Sequence, residues 1–159
     1  MRILQCLDTL LPSSGGPARS VPQLALSLRE AGVEVGIWSA ARWNGRLADV
    51  DIAEFKNIPV YDGELRKAVA KFGHIDLIHD HGIWSWNHRV VAKLAREIGV
   101  PRIVSPRGML EPWALRHRRL KKKAAWHLYQ RRDLHNAAGL HATAISEAHQ
   151  FAALGLTQM

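Results

Sequence analysis

Short apolar segments alternate with amphipathic ones along most of the chain. The apolar runs Ile3–Leu7, Val33–Ser39 and Arg102–Ser105 lack the alternating polarity of half-exposed strands, and this predicts buried strands. Ile58–Tyr61 and Ile75–His79 predict two more. Because buried strands of this kind pack in parallel sheets covered by helices on both faces, we predict an α/β fold, a doubly wound, Rossmann-like parallel sheet.

The segments between these strands carry apolar residues at helical spacing. This period predicts helices over Glu64–Phe72 and Asn87–Ile98, and a first helix that ends at Gly32. The start of the first helix is open to two interpretations. Pro17 can occupy the first helical position, which leaves Pro22 deep inside the helix. A start with Ser20 as N-cap keeps Pro22 in the first turn, and we favour it.

Ligands of doubly wound folds bind beyond the carboxyl ends of the strands. Three predicted loops lie there, Asp8–Pro17, Asp80–Trp86 and Pro106–Trp113. The first contains Gly15 and Gly16 just before a helix, where backbone N–H groups can approach a phosphate. The same pair is equally compatible with a tight turn. The loop lacks the G-x-G-x-x-G pattern and no acidic residue ends the second strand, so an NAD site is poorly supported.

Two histidines flank Asp80 in the second loop. His79 and His81 are two positions apart, so in a strand both side chains point the same way. The pair lacks a convincing third metal ligand in the sequence, and we expect no metal. We interpret His79 as a core histidine that donates to a backbone carbonyl. We predict that His81 faces the crevice at the strand tip and is the catalytic candidate.

The third loop combines charged and aromatic residues. Arg107 is placed to meet a phosphate or carboxylate through its planar guanidinium. Glu111 either orders sugar hydroxyls or pairs with Arg107. Trp84 and Trp113 offer aromatic faces to a sugar ring, or else close the edge of the domain.

Positive charge is concentrated in the last third of the chain. Of a net charge of +8, residues 105–159 supply +6, from nine basic and three acidic groups. Apolar residues from Trp113 to Ala138 form one stripe on a helical wheel, which predicts a helix here. Six cations lie in its 116–123 stretch: Arg116, Arg118, Arg119, Lys121, Lys122 and Lys123. The stretch suits an anionic lipid surface, an ordinary solvated helix face or nucleic acid, and the sequence leaves these alternatives open.

The overall composition restricts the class of protein. A chain of 159 residues with 47% apolar content is long enough to bury a core. The lone Cys6 excludes a disulfide framework. No apolar run approaches the roughly 20 residues of a membrane-spanning helix. We therefore expect a cytoplasmic protein, with a peripheral position on the inner face of the cytoplasmic membrane as the alternative.

Six stretches together resemble the N-terminal half of a GT4-family glycosyltransferase, a retaining enzyme of the GT-B fold. The stretches are Met1–Leu4, Gly15–Pro17 before a helix, Leu24–Val35, His79–Trp84, Ser105–Trp113 and Leu140–Glu147. Ser105–Trp113 is the most specific, and it is similar to members from bacterial exopolysaccharide and lipopolysaccharide pathways.

The resemblance implies functions for individual residues. Gly16, with Gly15 beside it, matches the position that approaches the donor diphosphate, and His81 matches a histidine that contacts the transferred sugar. Arg107, Glu111, Trp84 and Trp113 then become candidates for binding the acceptor or sugar. The basic helix matches a membrane-binding segment of several such enzymes. The family implies a nucleotide-sugar as co-substrate, a glycan or lipid-linked acceptor, and no further cofactor.

The resemblance also sets an expectation for domain organisation. We expect residues 1–159 to form a single acceptor-side domain that is incomplete at its C-terminus, with the donor-binding C-domain absent. The chain alone is then expected to be inactive, and its activity within an enzyme to be sugar transfer with retention. The alternative is a non-catalytic module that binds anionic membrane or nucleic acid through the 116–123 basic helix.

Overall fold

The protein folds around one six-stranded parallel sheet, seen in a computed structural model that describes residues 1–43, Gly45 and 55–156. The strands are β1 (Arg2–Leu7), β2 (Glu34–Ser39), β3 (Val60–Asp62), β4 (Leu77–His81), β5 (Arg102–Ser105) and β6 (Gly139–Leu140). Their order across the sheet is β3-β2-β1-β4-β5-β6, and every neighbouring pair is parallel. The predicted doubly wound α/β class is confirmed.

Helices cover both faces of the sheet. They are α1 (Gly16–Glu30), α2 (Leu65–Phe72), α3 (Trp86–Glu97), α4 (Pro112–Arg116), α5 (Arg119–Ala125), α6 (Arg131–His135) and α7 (Ile145–Ala153). A π-helical turn, Trp126–Gln130, joins α5 to α6. One core cluster packs α1 against the sheet through Val21 and Ala25, and another packs α2 and α3 against it through Phe72 and Val91.

The chain changes direction across the sheet between β1 and β4. From β1 it winds outward through β2 and β3, and then returns to β4 and winds the other way. The connections beyond the carboxyl ends of β1 and β4 therefore diverge and leave a crevice, which is the usual ligand position of such folds. The turn before α1 and the loop after β5 both border this crevice.

The preferred start of α1 is wrong. The helix begins at Gly16, with Gly15 as N-cap, and Pro22 lies inside it. The extra turn brings Ala18 into the core beside Val21, and both are almost fully buried. Burial of this apolar face offsets the backbone hydrogen bond that Pro22 cannot donate.

Strand β4 lies two residues further along the chain than predicted. It spans Leu77–His81 rather than Ile75–His79. Its register pairs Leu77 with Ile3 of β1, and His81 with Ser105 of β5. His81 is therefore the last residue of a central strand and not part of the loop after it.

The basic segment is not one helix. It is broken between α4 and α5, where Arg118 adopts the left-handed conformation at φ 53° and ψ 39°. The Lys122 ammonium donates to the Ala114 carbonyl of α4 at 2.6 Å, so the last turn of α4 is capped by the next helix. Apolar periodicity cannot reveal this break, because neither glycine nor proline marks it.

Candidate active site at the crevice

A layer of polar side chains lies on the α1 side of the sheet, at the carboxyl ends of the central strands. The register pairs Gln5 with His79 and His81 with Ser105, and laterally paired residues of parallel strands point to the same face. The His79 and His81 rings lie 4.0 Å apart between centroids. The layer forms the floor of the crevice.

His81 lies on the floor of the crevice, at the end of β4, but its ring is covered and not open to solvent. Only 2% of the residue is accessible. Its Nε2 lies 2.6 Å from Gln5 Oε1, and its Nδ1 lies 3.0 Å from Arg107 Nη2. Burial holds the pKa of His81 well below its usual range, and the neighbouring His79 and Arg107 lower it further. A neutral ring that donates from Nε2 and accepts at Nδ1 satisfies both contacts.

His79 is also buried, as expected of a core histidine, but its partner is a side chain. Its Nε2 lies 2.8 Å from Ser105 Oγ, which in turn lies 2.9 Å from His141 Nδ1. The expected bond to a backbone carbonyl is replaced by this contact with a hydroxyl. Burial lowers the pKa of His79 to about 4, with smaller effects from His141 and Arg107.

Arg107 joins this floor to the start of α1. Its Nη1 donates to Ser20 Oγ at 2.9 Å, and the Ser20 hydroxyl donates to the Gly16 carbonyl at 3.0 Å. The guanidinium therefore lies beside the first turn of α1 and against His81. It is engaged by these two residues and not by Glu111, the alternative partner.

The start of α1 is open on its outer side. A Cβ added to Gly15 or Gly16 meets no atom within 4 Å. Gly15 has a φ of 94°, so the turn itself favours glycine there. Gly16 has no such φ, so neither its backbone nor a neighbouring side chain requires glycine. Free N–H groups at a helix start beside a cation are well suited to an anion.

Glu147, near the start of α7, fixes the loop that carries Arg107. It is 1% exposed, and its carboxylate accepts from the Gly108 N–H at 2.6 Å. The same carboxylate accepts from the N–H of Thr143 at 2.8 Å and from its hydroxyl at 3.0 Å. The sequence interpretation gave Glu147 no such contact. One buried carboxylate thus joins the loops after β5 and β6 and holds Arg107 in place.

The remaining sugar-binding candidates differ in exposure. The Trp84 indole N–H donates to the Met109 carbonyl at 3.2 Å, so it is not free for a sugar hydroxyl. Trp113 is 71% exposed. Glu111 is half-buried and stands as the N-cap of α4. The structure therefore keeps Trp113 and Glu111 available at the surface and makes Trp84 part of the packing.

A second polar network, on the opposite face of the sheet, was missed from the sequence. His88 Nδ1 lies 2.6 Å from Asp80 Oδ1, and Arg102 Nη1 lies 3.0 Å from Asp80 Oδ2. Burial lowers the pKa of His88, but Asp80 and Asp8 outweigh it and raise that pKa to about 10. Burial raises the pKa of Asp8, but its bonds to His88, Asn87 and Ser85 bring it down to about 2. The sequence interpretation placed Asp80 in the loop after the strand, and only its observed position inside β4 shows that its charge requires a partner.

Five of the six predicted membrane-binding cations are exposed: Arg116, Arg118, Arg119, Lys121 and Lys123. Lys122 is the exception, because its ammonium also lies 5.5 Å from the centre of the Trp84 ring. Large apolar side chains stand among the exposed cations, with Leu120 84% and Leu128 79% exposed.

Among the described helices, none is both long and apolar enough to cross a membrane. The described residues also contain no cluster of three or more His, Cys, Asp or Glu arranged to hold a metal ion.

Comparison with known proteins identifies a family and a similar fold. The family model for a glycosyl transferase 4-like domain matches residues 15–158. A crystal structure from Listeria monocytogenes, described as a UDP-N-acetylglucosamine 2-epimerase, matches with a TM-score of 0.65 at 13% sequence identity. That match covers 99% of this chain and 43% of the other, and at this identity it shows the fold alone. None of the curated proteins matches the sequence.

Proposed function

The chain belongs to the glycosyl transferase 4-like domain family, and from this premise we propose that it is the acceptor-binding half of a retaining glycosyltransferase. The reaction moves a sugar from a nucleotide-sugar to a glycan or lipid-linked acceptor, of the bacterial exopolysaccharide or lipopolysaccharide kind. A second domain supplies most of the nucleotide-sugar site. The chain by itself is then inactive, because charge on the leaving diphosphate must be stabilised from both sides of the cleft.

The observation that supports this proposal best is the open start of α1 at Gly15 and Gly16. Glycine at position 16 has no explanation within the protein, because a side chain there meets nothing. It is explained if a diphosphate approaches the backbone closely. The Arg107 guanidinium, two hydrogen bonds away through Ser20, adds a fixed positive charge on the same side.

His81 enters this proposal through Arg107. Both ring nitrogens are occupied within the protein, so His81 acts as a positioning residue that orients the guanidinium. Trp113 and Glu111, which stand at the surface on the loop and helix after β5, are the proposed contacts for the acceptor. Trp84 supports that loop from beneath, through its bond to Met109.

We also propose that the basic segment holds this enzyme on an anionic membrane. Exposed Leu120 and Leu128 stand among the cations, and apolar side chains gain by entering a lipid interface. A phosphate backbone in water offers them nothing comparable, so this mixture favours lipid over nucleic acid. A peripheral position on a membrane also suits a lipid-linked acceptor.

The diphosphate proposal is tested by titrating the ¹⁵N-labelled chain with inorganic pyrophosphate and following amide shifts by NMR. The amides of Gly15, Gly16 and Ser20 are expected to shift most, and Gly16→Val is expected to suppress these shifts. An Ala31→Val variant is a control, because Ala31 is exposed at the opposite end of α1 and its backbone, at a φ of -76°, accepts a side chain without strain. Equal shifts in wild type and Gly16→Val contradict the proposal.

Transfer itself is tested with the enzyme that contains both halves. Label transfer from a panel of nucleotide-sugars to a polysaccharide or lipid-linked acceptor is the expected activity. Arg107→Gln is expected to abolish it while the protein stays folded. Full transfer by the Arg107→Gln enzyme contradicts the proposed role of the crevice.

A further inference from the structure

A second cavity, of about 450 Å³, lies apart from the polar crevice. It is an open cleft between α4, α5, the π-helical turn and the end of α7, and its lining includes none of the crevice residues His79, His81 and Arg107. Its volume falls within the range of roughly 300–1,000 Å³ typical of small-molecule pockets. The cavity therefore has room for a ligand of its own.

The wall of this cavity is mainly apolar. Its lining includes Trp84, Leu110, Leu115, Trp126 and Leu154. The indole N–H of Trp84 already donates to the Met109 carbonyl, so it is not free to bind a ligand. The N–H and O–H groups of a nucleotide base or a sugar would find no side-chain acceptor in this lining, and each one buried there without a partner costs several kcal/mol. A hydrocarbon chain has no such atoms to satisfy.

Four cations and no acidic residue line the same cavity. Lys122 is fixed there by its bond to the Ala114 carbonyl at 2.6 Å and by the face of Trp84. Arg116, Arg119 and Lys123 are exposed and can turn toward a ligand. An apolar interior with a cationic lining is complementary to a molecule that has a hydrocarbon chain and an anionic head.

We propose that this cavity binds one hydrocarbon chain of an anionic membrane lipid, whose phosphate is held by Arg119 and Lys123. This binding differs from adsorption of the basic segment on a bilayer, because it takes a single chain out of its lipid surroundings. The proposed lipid site is separate from the sugar-transfer reaction of the crevice and does not depend on that reaction. The site stands whether or not the crevice carries out sugar transfer.

The test is a calorimetric titration of the protein with dodecyl phosphate, at concentrations below those at which dodecyl phosphate forms micelles. Butyl phosphate supplies the head without the chain, and dodecyl maltoside supplies the chain without the charge. Dodecyl phosphate is expected to bind at least about tenfold more tightly than either. Against butyl phosphate it gains from each additional buried methylene. Against dodecyl maltoside it gains from the charge-assisted bonds between its phosphate and the cations. If butyl phosphate binds as tightly as dodecyl phosphate, the cations bind phosphate alone and the proposal fails. If dodecyl maltoside does so, the charge is irrelevant and it fails as well.

Two matched variants locate the site. Arg119→Gln with Lys123→Gln removes one arginine and one lysine from the cavity lining. Arg118→Gln with Lys121→Gln removes the same charges from the same segment outside that lining. The first pair is expected to weaken binding about tenfold, and the second less than about twofold, because charge-assisted bonds act only at contact. If the two double variants lose the same affinity for dodecyl phosphate, the ligand is attracted by the overall positive charge of the segment, and the proposal is overturned.

A third variant fills the cavity. Leu154→Trp is expected to abolish dodecyl phosphate binding, with thermal unfolding monitored by circular dichroism to show that the fold persists. If this variant folds and still binds dodecyl phosphate with wild-type affinity, the hydrocarbon chain lies outside this cavity and the proposal is overturned. If it does not fold, the two charge pairs still decide. Pyrophosphate shifts at Gly16 are expected to be unchanged in all three variants, which separates this site from the crevice.

Discussion

The Arg107 guanidinium donates to His81 Nδ1, with Nη2 at 3.0 Å and Nε at 3.3 Å. A guanidinium has no acceptor, so Nδ1 must carry no proton. The proton of a neutral ring is then on Nε2, where Gln5 Oε1 accepts it at 2.6 Å. Three side chains from β1, β4 and the loop after β5 therefore fix one tautomer of one ring.

This relationship predicts the protonation state of His81. Because burial, His79 and Arg107 all lower its pKa, the ring is expected to stay neutral, as the Nε2–H tautomer, from pH 6 to 8. Imidazole ¹⁵N shifts of the labelled protein measure this directly. Arg107→Gln, which removes the nearby cation, is expected to raise the pKa of His81. An imidazolium signal from His81 at pH 7 contradicts the arrangement.

Separate effects are expected for the two histidines in the enzyme that contains this domain. His81→Ala is expected to lower kcat with little change in the acceptor KM, because Arg107 loses its orienting partner. His79→Ala is expected to lower the free energy of unfolding by about 1–2 kcal/mol while activity is retained, because a buried bond to Ser105 is lost. Thermal melts of both variants separate stability from rate. A His81→Ala enzyme of full activity removes His81 from the mechanism.

The sequence predicted the sheet well because buried strands have a strong and local signal. The apolar runs at β1, β2 and β5 end within about one residue of the observed strands. Gly32 and Gly99 adopt the positive φ expected just beyond a helix end, at 81° and 69°. Each of these features is determined by a few neighbouring residues, so the local preference of the sequence and the folded structure agree.

The site was predicted less well, because its geometry depends on distant contacts. Gln5 and His81 are 76 positions apart and meet only through strand pairing. Glu147 reaches Gly108 across 39 positions. A sequence indicates which residues follow a strand, but it does not show that a strand-end histidine is covered by an arginine from the next loop. For that reason the position of His81 at the strand end could be predicted, but the Arg107 contact that helps to bury its ring could not.

Gly82 is expected to tolerate substitution poorly. It has a φ of 128°, and an added Cβ lies 2.6 Å from His88 Nε2, a ring that is held by Asp80. Gly82→Ala is therefore expected to lower the free energy of unfolding by about 1–3 kcal/mol from backbone strain, before the clash is counted. Gly16→Ala is the matched control, because its Cβ meets nothing, and its stability is expected to stay near wild type. Urea unfolding of both variants measures the difference, and equal stabilities contradict the packing described here.

Stability is expected to fall on both sides of about pH 6.5. His79 has a folded pKa of about 4, below the unfolded value of 6.5, so its contribution is complete above pH 6.5 and is lost as pH falls toward 4. His88 has a folded pKa of about 10, so its contribution is complete below pH 6.5 and is lost as pH rises toward 10. Denaturant unfolding from pH 4 to 10 measures the profile. His81, whose pKa is also lowered, adds to the loss on the acid side. His79→Gln is therefore expected to make the acid slope shallower and to leave the alkaline slope unchanged, and a change of the alkaline slope in that variant contradicts the assignment.

The last prediction concerns attachment of the basic segment to lipid. Its five exposed cations are expected to bring the chain to anionic vesicles, since each contributes on the order of 1 kcal/mol near a charged bilayer. Salt weakens this attraction within a Debye length of about 10 Å at 0.1 M. Vesicle flotation at low and high salt, on neutral and anionic lipid, measures the effect.

The structure decides which variants test this attachment fairly. Lys122 is excluded, because its ammonium caps α4 and its loss disturbs the fold as well as the charge. Arg118→Gln with Lys121→Gln removes two exposed cations instead, and is expected to reduce flotation on anionic vesicles while leaving dodecyl phosphate binding almost unchanged. Of the two tryptophans beside the cations, Trp113 is 71% exposed, whereas Trp126 is partly buried and packs against the core. Trp113→Ala is therefore expected to weaken flotation further. Equal flotation on neutral and anionic lipid, or no loss in the charge variant, leaves these cations as an ordinary solvated surface.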